Sequence, residues 1–273
     1  MTGTAAAEAA LVRAVEANFV DTWALLGESA GVLHEEPEAR WIAAGDHPFL
    51  NAVLETQTDP LPERAAIERI ATRITGLAGS CVWWVQPSAA PSRLEQHLRT
   101  LGFSPYTGSW PGMAVELDAV RPAPAVPGLE LMRVDGTESL DDYLIAFDGS
   151  LSPGPAFTAA LRRAASVIGF AEDASMAHFV VREKGLPIGC ASFMGGGGAA
   201  GLHNVGTVKE ARGRGVGAWI SSVALLHGRD RGHAVGVLQA SDLGYRVYER
   251  LGFREVCRIA PYVRPALAPE DGA

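Results

Sequence analysis

The stretch LHNVGTVKEARGRGVG, residues 202–217, decides how the second half of the chain folds. It begins with a strand-like segment and ends in the glycine-rich turn Arg212 to Gly217, and the helical pattern that follows starts at once with Ala218-Trp219-Ile220. The first amides of a helix are unpaired, and together with the positive end of the dipole they bind phosphate oxygens. Glycines at 213, 215 and 217 permit close backbone approach, and Arg212 and Arg214 add cationic donors for a diphosphate.

Two common phosphate-binding motifs fit this turn poorly. A P-loop would carry the lysine of GxxxxGK[ST], which is absent here. A dinucleotide-binding turn would follow the first strand of a parallel unit, with an acidic residue about 20 residues later. This turn instead follows the third strand of an antiparallel meander, predicted at 177–182, 188–194 and 202–208. The sequence therefore predicts an anion site of a different kind.

The elements around the turn predict the fold class. A strand at 129–134 and helices at 140–147 and 155–170 precede the meander, and a helix at 216–231, a buried strand at 235–239, a helix at 243–251 and a strand at 253–258 follow it. The order combines a meander with a crossover unit, which indicates an α+β or mixed α/β fold with a mostly antiparallel sheet flanked by helices.

The pattern Arg-x-x-Gly-x-Gly after a meander strand resembles the cofactor motif of the GCN5-related N-acetyltransferases. The second part of that family's signature follows it, because VLQAS at 237–241 leads into Tyr248-x-x-x-Gly252-Phe253. The resemblance covers the chain from Gly128 onward and implies that acetyl-CoA is the co-substrate. It also implies a pyrophosphate held by backbone amides, and a pantetheine arm that pairs with β-strand backbone. The cofactor-binding residues it implies are Val205, Gly206, Thr207, Arg212, Gly213, Arg214, Gly215, Val216, Gly217, Ala218 and Ser241.

The resemblance also implies a mechanism of direct attack by an amine on the thioester. Tyr248 falls where many members place a tyrosine that protonates the leaving thiolate, although a core tyrosine would satisfy the same pattern. For the general base, His203 and Asn204 lie on the motif strand, and alternation lets only one of them face the thioester. A backbone amide near Thr207 is expected to stabilise the oxyanion. Asp141, Asp142 and Asp148 form either a solvated acidic face or a site for a cationic amine.

The first half is predicted to be a degenerate copy of the same fold. Leu101-Gly102-Phe103 repeats Leu251-Gly252-Phe253 in a similar element order, but no glycine turn precedes the helix that starts near Pro62. We therefore expect two tandem acyl-CoA N-acyltransferase-like domains with one cofactor site. The predicted boundaries are a domain without a CoA site at 1–120, a proline-rich linker at 121–127, the catalytic domain at 128–265 and a tail at 266–273.

The composition limits the classes of partner. The chain has 273 residues, 48% of them hydrophobic, and a net charge of -8, which argues against a nucleic-acid or anionic-membrane partner and leaves room for a cationic substrate. Three separated cysteines give no metal-ligand spacing and indicate a reduced, cytoplasmic protein with no metal. The predicted acceptor is a small-molecule primary amine, and the protein is expected to be a monomer or a homodimer.

Two other functions remain open from the sequence. One is acetylation of a protein or peptide, at a lysine or an N-terminus. The other is a non-catalytic sensor that binds acyl-CoA without turnover. The intact glycine turn and Tyr248 favour turnover, whereas the acceptor and the acyl-chain preference are not encoded in any motif.

Overall fold

A computed structural model describes residues 2–44, 47–57, 60–89, 91–106 and 108–265. The described residues form two compact units. Unit 1 comprises residues 2–22 and 111–257, and unit 2 comprises residues 23–110 and 258–265 in their described parts. The predicted tail at 266–273 lies outside the described residues.

The helices and strands are numbered in chain order. The described α-helices are α1 (Thr2–Ser29), α2 (Arg64–Ala78), α3 (Pro91–Thr100), α4 (Thr137–Leu151), α5 (Pro155–Ile168), α6 (Val216–Asp230) and α7 (Asp242–Leu251). The described strands are β1 (Leu33–Glu36), β2 (Ala39–Ala43), β3 (Asn51–Thr56), β4 (Cys81–Val85), β5 (Ser104–Pro105), β6 (Trp110–Glu116), β7 (Glu130–Arg133), β8 (Met176–Glu183), β9 (Leu186–Gly196), β10 (Ala199–Thr207), β11 (Val235–Gln239) and β12 (Arg254–Arg264).

Unit 1 is built on the strand order β6-β11-β10-β9-β8-β7. Every described pair is antiparallel except β10 with β11, which is the crossover pair that the sequence pattern predicted. Helix α4 covers one face of the sheet, and α6 covers the other: a Cβ at Gly206 would collide with Ser150 of α4, and one at Gly189 would lie 2.8 Å from Val216 of α6. The mixed α/β class with a mostly antiparallel sheet is confirmed.

Unit 2 repeats part of this order. Strands β1, β2 and β3 form an antiparallel meander, β3 pairs in parallel with β4, and residues 260–264 of β12 pair with β4 in antiparallel. Strand β5 pairs with β12. The core of unit 2 packs α2 and α3 against the sheet through Trp41, Trp83, Ile67, Ile74 and Leu98.

The division between the units differs from the predicted boundary at 121–127. Strand β6 comes from the first half of the sequence but pairs with β11 of unit 1 at five positions, from Glu116↔Val235 to Gly112↔Gln239. The end of β12 comes from the second half but pairs with β4 of unit 2. The first 22 residues, most of α1, also belong to unit 1. The predicted ranges 1–120 and 128–265 therefore need correction, because the strand that closes each sheet is contributed by the other half of the sequence.

Two element boundaries are set by short turns. A 3-10 turn at Pro48–Leu50 leads into β3. Strand β9 runs on to Gly196, two residues beyond the predicted end at 194, so the turn into β10 occupies Gly197 and Gly198. None of the described helices is long and apolar enough to cross a membrane.

Candidate active site

Strands β10 and β11 form a fork in unit 1. They pair only at Ala200↔Gly236 and Gly201↔Val237, although β10 continues to Thr207 and β11 to Gln239. Beyond Gly201 and Val237 no further pairs join the two strands among the described residues. We call this opening the β10–β11 fork. All the predicted site residues lie in unit 1, on β10, in the turn between β10 and α6, at the start of α6, or at and within α7.

A β-bulge interrupts the β10 arm of the fork. His203 pairs with Ser192 and Gly206 with Cys190, so Asn204 and Val205 together lie opposite Ala191. Asn204 has a φ of 53°, a left-handed conformation that asparagine tolerates better than most residues. The Cys190 thiol donates a hydrogen bond to the Asn204 carbonyl at 3.3 Å. The bulge therefore turns the peptide groups around Val205 out of the regular ladder with β9.

The glycine turn leads from β10 into α6. Gly213 and Gly215 have φ values of 77° and 88°, which glycine adopts without strain. Helix α6 begins at Val216, as predicted, and its first flanking backbone bond is Trp219 N–H to the Gly215 carbonyl. The amides of Val216, Gly217 and Ala218 thus have no partner within the helix. They lie next to Thr207, whose hydroxyl would lie 3.5 Å from a Cβ at Gly217, and unpaired amides at a helix N-terminus are groups to which an anion can bind.

The two arginines of the turn are both engaged in the structure. Arg212 donates from Nε to the Thr207 carbonyl at 3.1 Å and from Nη2 to the Ser150 carbonyl at 3.4 Å. Arg214 forms a two-pronged ion pair with Glu183, at 3.0 and 2.7 Å. This pair lowers the pKa of Glu183 and raises that of Arg214. Arg214 must therefore leave or share Glu183 before it can contact a diphosphate.

Tyr248 and Ser241 both lie on the α7 side of the fork. Tyr248 is 8% exposed, and burial raises the pKa of its phenol well above the usual range, so the hydroxyl stays protonated. Its ring packs against Gly244, where a Cβ would lie 2.7 Å from the ring. Ser241 caps α7 by accepting a hydrogen bond from the Gly244 amide at 3.2 Å. The predicted cofactor residue Ser241 thus has a structural role as a helix cap.

His203 makes contacts that the sequence did not indicate. Its Nε2 lies 3.0 Å from Oδ1 of Asn18 and 3.3 Å from Oγ1 of Thr22, both on α1 and both within unit 1. Burial lowers the pKa of the His203 imidazole to about 4. The ring is therefore neutral at neutral pH. Asn204, the alternative base, lies in the bulge, and its side chain is an amide that cannot act as a base at this pH.

A buried polar network lies beneath the bulge and was missed by sequence reasoning. The Tyr143 hydroxyl of α4 and Nδ1 of His178 each lie 2.7 Å from the Ser192 hydroxyl. All three side chains are buried, and burial lowers the pKa of His178 to about 3. The only available signal was the strand register, which makes His178 and Ser192 direct neighbours. The network ties α4 to β9, the strand that lies opposite the bulge in β10.

Gln239 is a second residue that the sequence did not single out. It ends the β11 arm, and its buried Nε2 has no hydrogen-bond partner among the described residues. Its β6 neighbour Gly112 faces Val15 of α1, where a Cβ would lie 2.8 Å from the valine. Since side chains alternate along a strand, Gln239 and Val237 share the face on which Asn18 meets Gly201. An unpaired buried amide at the fork requires an explanation, and a ligand carbonyl would satisfy it.

The three aspartates of α4 are paired within unit 1. Asp141 accepts from Arg162 at 2.5 Å, Asp148 accepts from the Thr158 hydroxyl at 2.5 Å, and Asp142 forms an ion pair with Arg182. Their partners all lie on α5 or β8. These contacts explain the acidic face as part of the packing of α4. No contact among the described residues of unit 1 specifically supports the alternative hypothesis that these aspartates recognise a cationic amine.

The described residues contain no cluster of His, Cys, Asp and Glu that could hold a metal ion. Comparison with known families matches residues 174–255 to the acetyltransferase (GNAT) domain. This range includes the meander, the fork, the glycine turn and Tyr248. None of the curated proteins matches the sequence at a significant level.

Solved structures with the same fold cover most of the chain. A GCN5-related N-acetyltransferase from Kribbella flavida is 17% identical, with a TM-score of 0.66 over 93% of this chain and 98% of that one. A putative GNAT-family acetyltransferase from Novosphingobium aromaticivorans is 17% identical, with a TM-score of 0.56 over 93% and 99%. A tandem GNAT protein from the clavulanic acid biosynthesis pathway is 16% identical, with a TM-score of 0.58 over 80% and 76%. At these identities the likeness concerns the fold.

Proposed function

We propose that unit 1, whose residues 174–255 match the acetyltransferase (GNAT) domain, is a GCN5-related N-acetyltransferase that transfers an acetyl group from acetyl-CoA to a primary amine of a small molecule. The single observation that carries the proposal is the β10–β11 fork, whose β10 arm has a bulge at Asn204 and continues through the glycine turn to the unpaired first amides of α6. The acetyl thioester supplies the activated carbonyl. The residues of unit 1 bind it, orient it and move protons.

The diphosphate of the co-substrate fits the glycine turn. The amides of Val216, Gly217 and Ala218 point out of the α6 N-terminus, and no Cβ blocks Gly213 or Gly215. Arg212, held by the Thr207 and Ser150 carbonyls, keeps a cation beside these amides. The backbone of Val205, Gly206 and Thr207 then offers hydrogen bonds to an extended arm at the fork.

The oxyanion of the tetrahedral intermediate requires a preorganised donor at the fork. The bulge releases peptide groups near Val205 from the β9 ladder, so an amide there can point at the thioester carbonyl. Since a Cβ at Gly206 would collide with Ser150 of α4, no side chain could occupy this position. Helix α4 therefore keeps this part of the strand in place.

Tyr248 acts in this proposal as the general acid. A thiol has a reference pKa of about 8.5, so the departing thiolate is basic enough to take up a proton at neutral pH. Its protonation assists the cleavage of the C–S bond. The Tyr248 phenol keeps its proton because burial raises its pKa. His203 is the candidate proton acceptor on the amine side, since its ring is neutral and lies at the last paired position before the bulge.

An amine screen with acetyl-CoA tests the proposal. We expect release of free CoA, detected with a thiol reagent, only when a suitable primary amine is present. Acetyl-CoA should also raise the melting temperature, because a ligand that binds the native state stabilises it. A melting temperature that does not change at millimolar acetyl-CoA would refute the proposal. Stabilisation without turnover on small amines or on lysine peptides would favour the sensor, and turnover on peptides alone would favour protein acetylation.

A further inference from the structure

Asn18 of α1 is a fully buried amide whose orientation is fixed by its neighbours. Its Nδ2 lies within hydrogen-bond distance of three backbone carbonyls at the β9–β10 turn, those of Met194 (3.0 Å), Gly196 (3.1 Å) and Ala199 (3.5 Å). Only the NH₂ group can donate to carbonyls, so the oxygen Oδ1 must face the opposite way.

The direction of Oδ1 determines the tautomer of His203. Oδ1 lies 3.0 Å from Nε2 of His203, and an amide oxygen can only accept a hydrogen bond. Nε2 therefore carries the hydrogen. Because the ring is neutral, Nδ1 holds the lone pair, and no described residue hydrogen-bonds Nδ1.

Gly201 makes room for this pair of side chains. A Cβ at Gly201 would collide with Oδ1 of Asn18 and would lie 2.6 Å from Nε2 of His203. Thr22, one turn after Asn18 on α1, places its hydroxyl 3.3 Å from the same Nε2. Asn18 and Thr22 thus fix one nitrogen of His203 in the space that Gly201 leaves, and Nδ1 has no hydrogen-bond partner among the described residues.

We propose that Asn18, assisted by Thr22, is a positioning residue that holds His203 in its Nε2–H form, so that Nδ1 accepts a proton from the attacking amine. This inference rests on the proposed function. The amine lone pair forms the N–C bond to the acetyl carbonyl carbon, and the amine proton passes to Nδ1. The C–S electron pair leaves with the sulfur, which takes the Tyr248 proton. The imidazolium then donates through Nε2–H to Oδ1 of Asn18, and solvent restores both residues.

The tautomer can be measured without any turnover. In protein labelled with ¹⁵N-histidine, two-bond ¹H–¹⁵N correlation spectra distinguish a protonated Nε2 from a protonated Nδ1, and His203→Gln assigns the signal. We expect the Nε2–H form for His203 in the wild type and a mixture in Asn18→Ala. Detection of the Nδ1–H form in the wild type, in protein that still turns over acetyl-CoA, would overturn the inference but not the proposed function. An absence of turnover with the Nε2–H form present would instead count against the proposed function.

Kinetics test the role with a matched control. Asn18→Ala and Asp21→Ala each remove a contact between α1 and the β9–β10 turn, since Asp21 accepts from the Gly197 amide at 2.7 Å, but only Asn18 contacts His203. We expect His203→Gln to lower kcat by roughly 10²-fold and Asn18→Ala by at least about tenfold, with acetyl-CoA affinity unchanged. Equal kcat values for Asn18→Ala and Asp21→Ala would overturn the inference.

The pH profile gives a readout that a loss of packing would not produce. Burial keeps the wild-type His203 unprotonated down to about pH 4. In Asn18→Ala, water reaches the ring, so its pKa should rise toward the ordinary value and protonation should remove the base as the pH falls below about 6.5. A new acidic limb in kcat for Asn18→Ala, absent from Asp21→Ala, supports the inference. Identical profiles would overturn it.

Discussion

Each unit contains two parallel strands that separate after two paired positions, but the two forks differ in whether side chains bridge the separated arms. In unit 2, β3 and β4 pair at Ala52↔Val82 and Val53↔Trp83, and β3 then has an extra residue, Leu54, opposite β2. Gln86 donates to the Leu54 carbonyl at 2.9 Å, and the Trp83 indole donates to the Thr56 hydroxyl at 2.8 Å. Side chains from the β4 side thus bridge the arms of this fork.

The fork of unit 1 has no such bridge among the described residues. Gln239, at the end of β11, has a buried amide nitrogen without a partner. The bulge at Asn204 also leaves peptide groups of β10 outside the ladder with β9. In the proposed function, the fork of unit 1 binds the co-substrate because its polar groups are left for a ligand to satisfy, whereas those of the unit 2 fork are satisfied by the protein itself.

The helices that follow the two forks differ as well. Helix α6 begins after Gly213 and Gly215, both at positive φ, whereas α2 begins after Glu63 in an extended conformation. The connection to α2 contains no glycine, and the N-cap residue Glu63 brings a negative charge to the end of the helix where an anion would otherwise bind. We therefore expect one acetyl-CoA site per chain.

The largest expected effect concerns Tyr248, whose counterpart before the Leu-Gly-Phe motif of the first half is Leu98. Tyr248→Phe removes the proton donor and keeps the packing against Gly244. We expect kcat to fall roughly 10²-fold or more with the dissociation constant of acetyl-CoA unchanged. An unchanged kcat at every pH would remove Tyr248 from the mechanism.

The next effect uses two glycines in the same backbone conformation. Gly215 precedes α6 with a φ of 88°, and Gly79 ends α2 with a φ of 74°. Alanine at either position should cost about 1–2 kcal/mol of stability because of left-handed strain. Only Gly215→Ala should also weaken acetyl-CoA binding, as titration calorimetry can measure. Equal affinities for the two variants would move the diphosphate site away from the turn.

Replacement by methionine should change the free energy of unfolding in opposite directions at Gln239 and at Gln86. Gln239→Met removes an unpaired buried amide and should stabilise the free protein by about 1 kcal/mol, while it weakens acetyl-CoA binding. Gln86→Met leaves the Leu54 carbonyl without its donor and should destabilise the protein by about 1–3 kcal/mol. Thermal denaturation with and without acetyl-CoA measures both effects. Destabilisation by Gln239→Met would show that its amide is already satisfied.

The smallest effect concerns the ion pair of Arg214 with Glu183. Glu183→Gln frees the guanidinium, which should bind acetyl-CoA slightly more tightly at low salt and lose this gain as the ionic strength rises. The pKa of Glu183 is lowered in the folded state, so its contribution to stability is present above the pKa of the unfolded chain and is lost as the pH falls through the folded pKa. Because the pair lies at the surface, its loss should change the melting temperature very little. A clear loss of affinity in Glu183→Gln would contradict this description.

Much of unit 1 could be predicted from local patterns. The start of α6 at Val216, the meander and the helix end at Gly252 follow from glycine placement and periodicity. The pairing of β6 with β11 and of β12 with β4 could not be predicted, because the alternation of side chains along a strand does not encode which distant strand it pairs with. The same reason hid Asn18, since a helical pattern shows that a residue is buried but not which neighbour it meets. The bulge left a weak signal in Asn204, a residue type that tolerates positive φ.

The number of acetyl-CoA molecules bound per chain tests the central claim most directly. Titration calorimetry with the full-length protein, without an amine acceptor, gives this stoichiometry. The open fork of unit 1 and the bridged fork of unit 2 predict one molecule per chain, and Gly215→Ala should weaken that single site. A stoichiometry near two, or a single site that Gly215→Ala does not affect, would contradict the account.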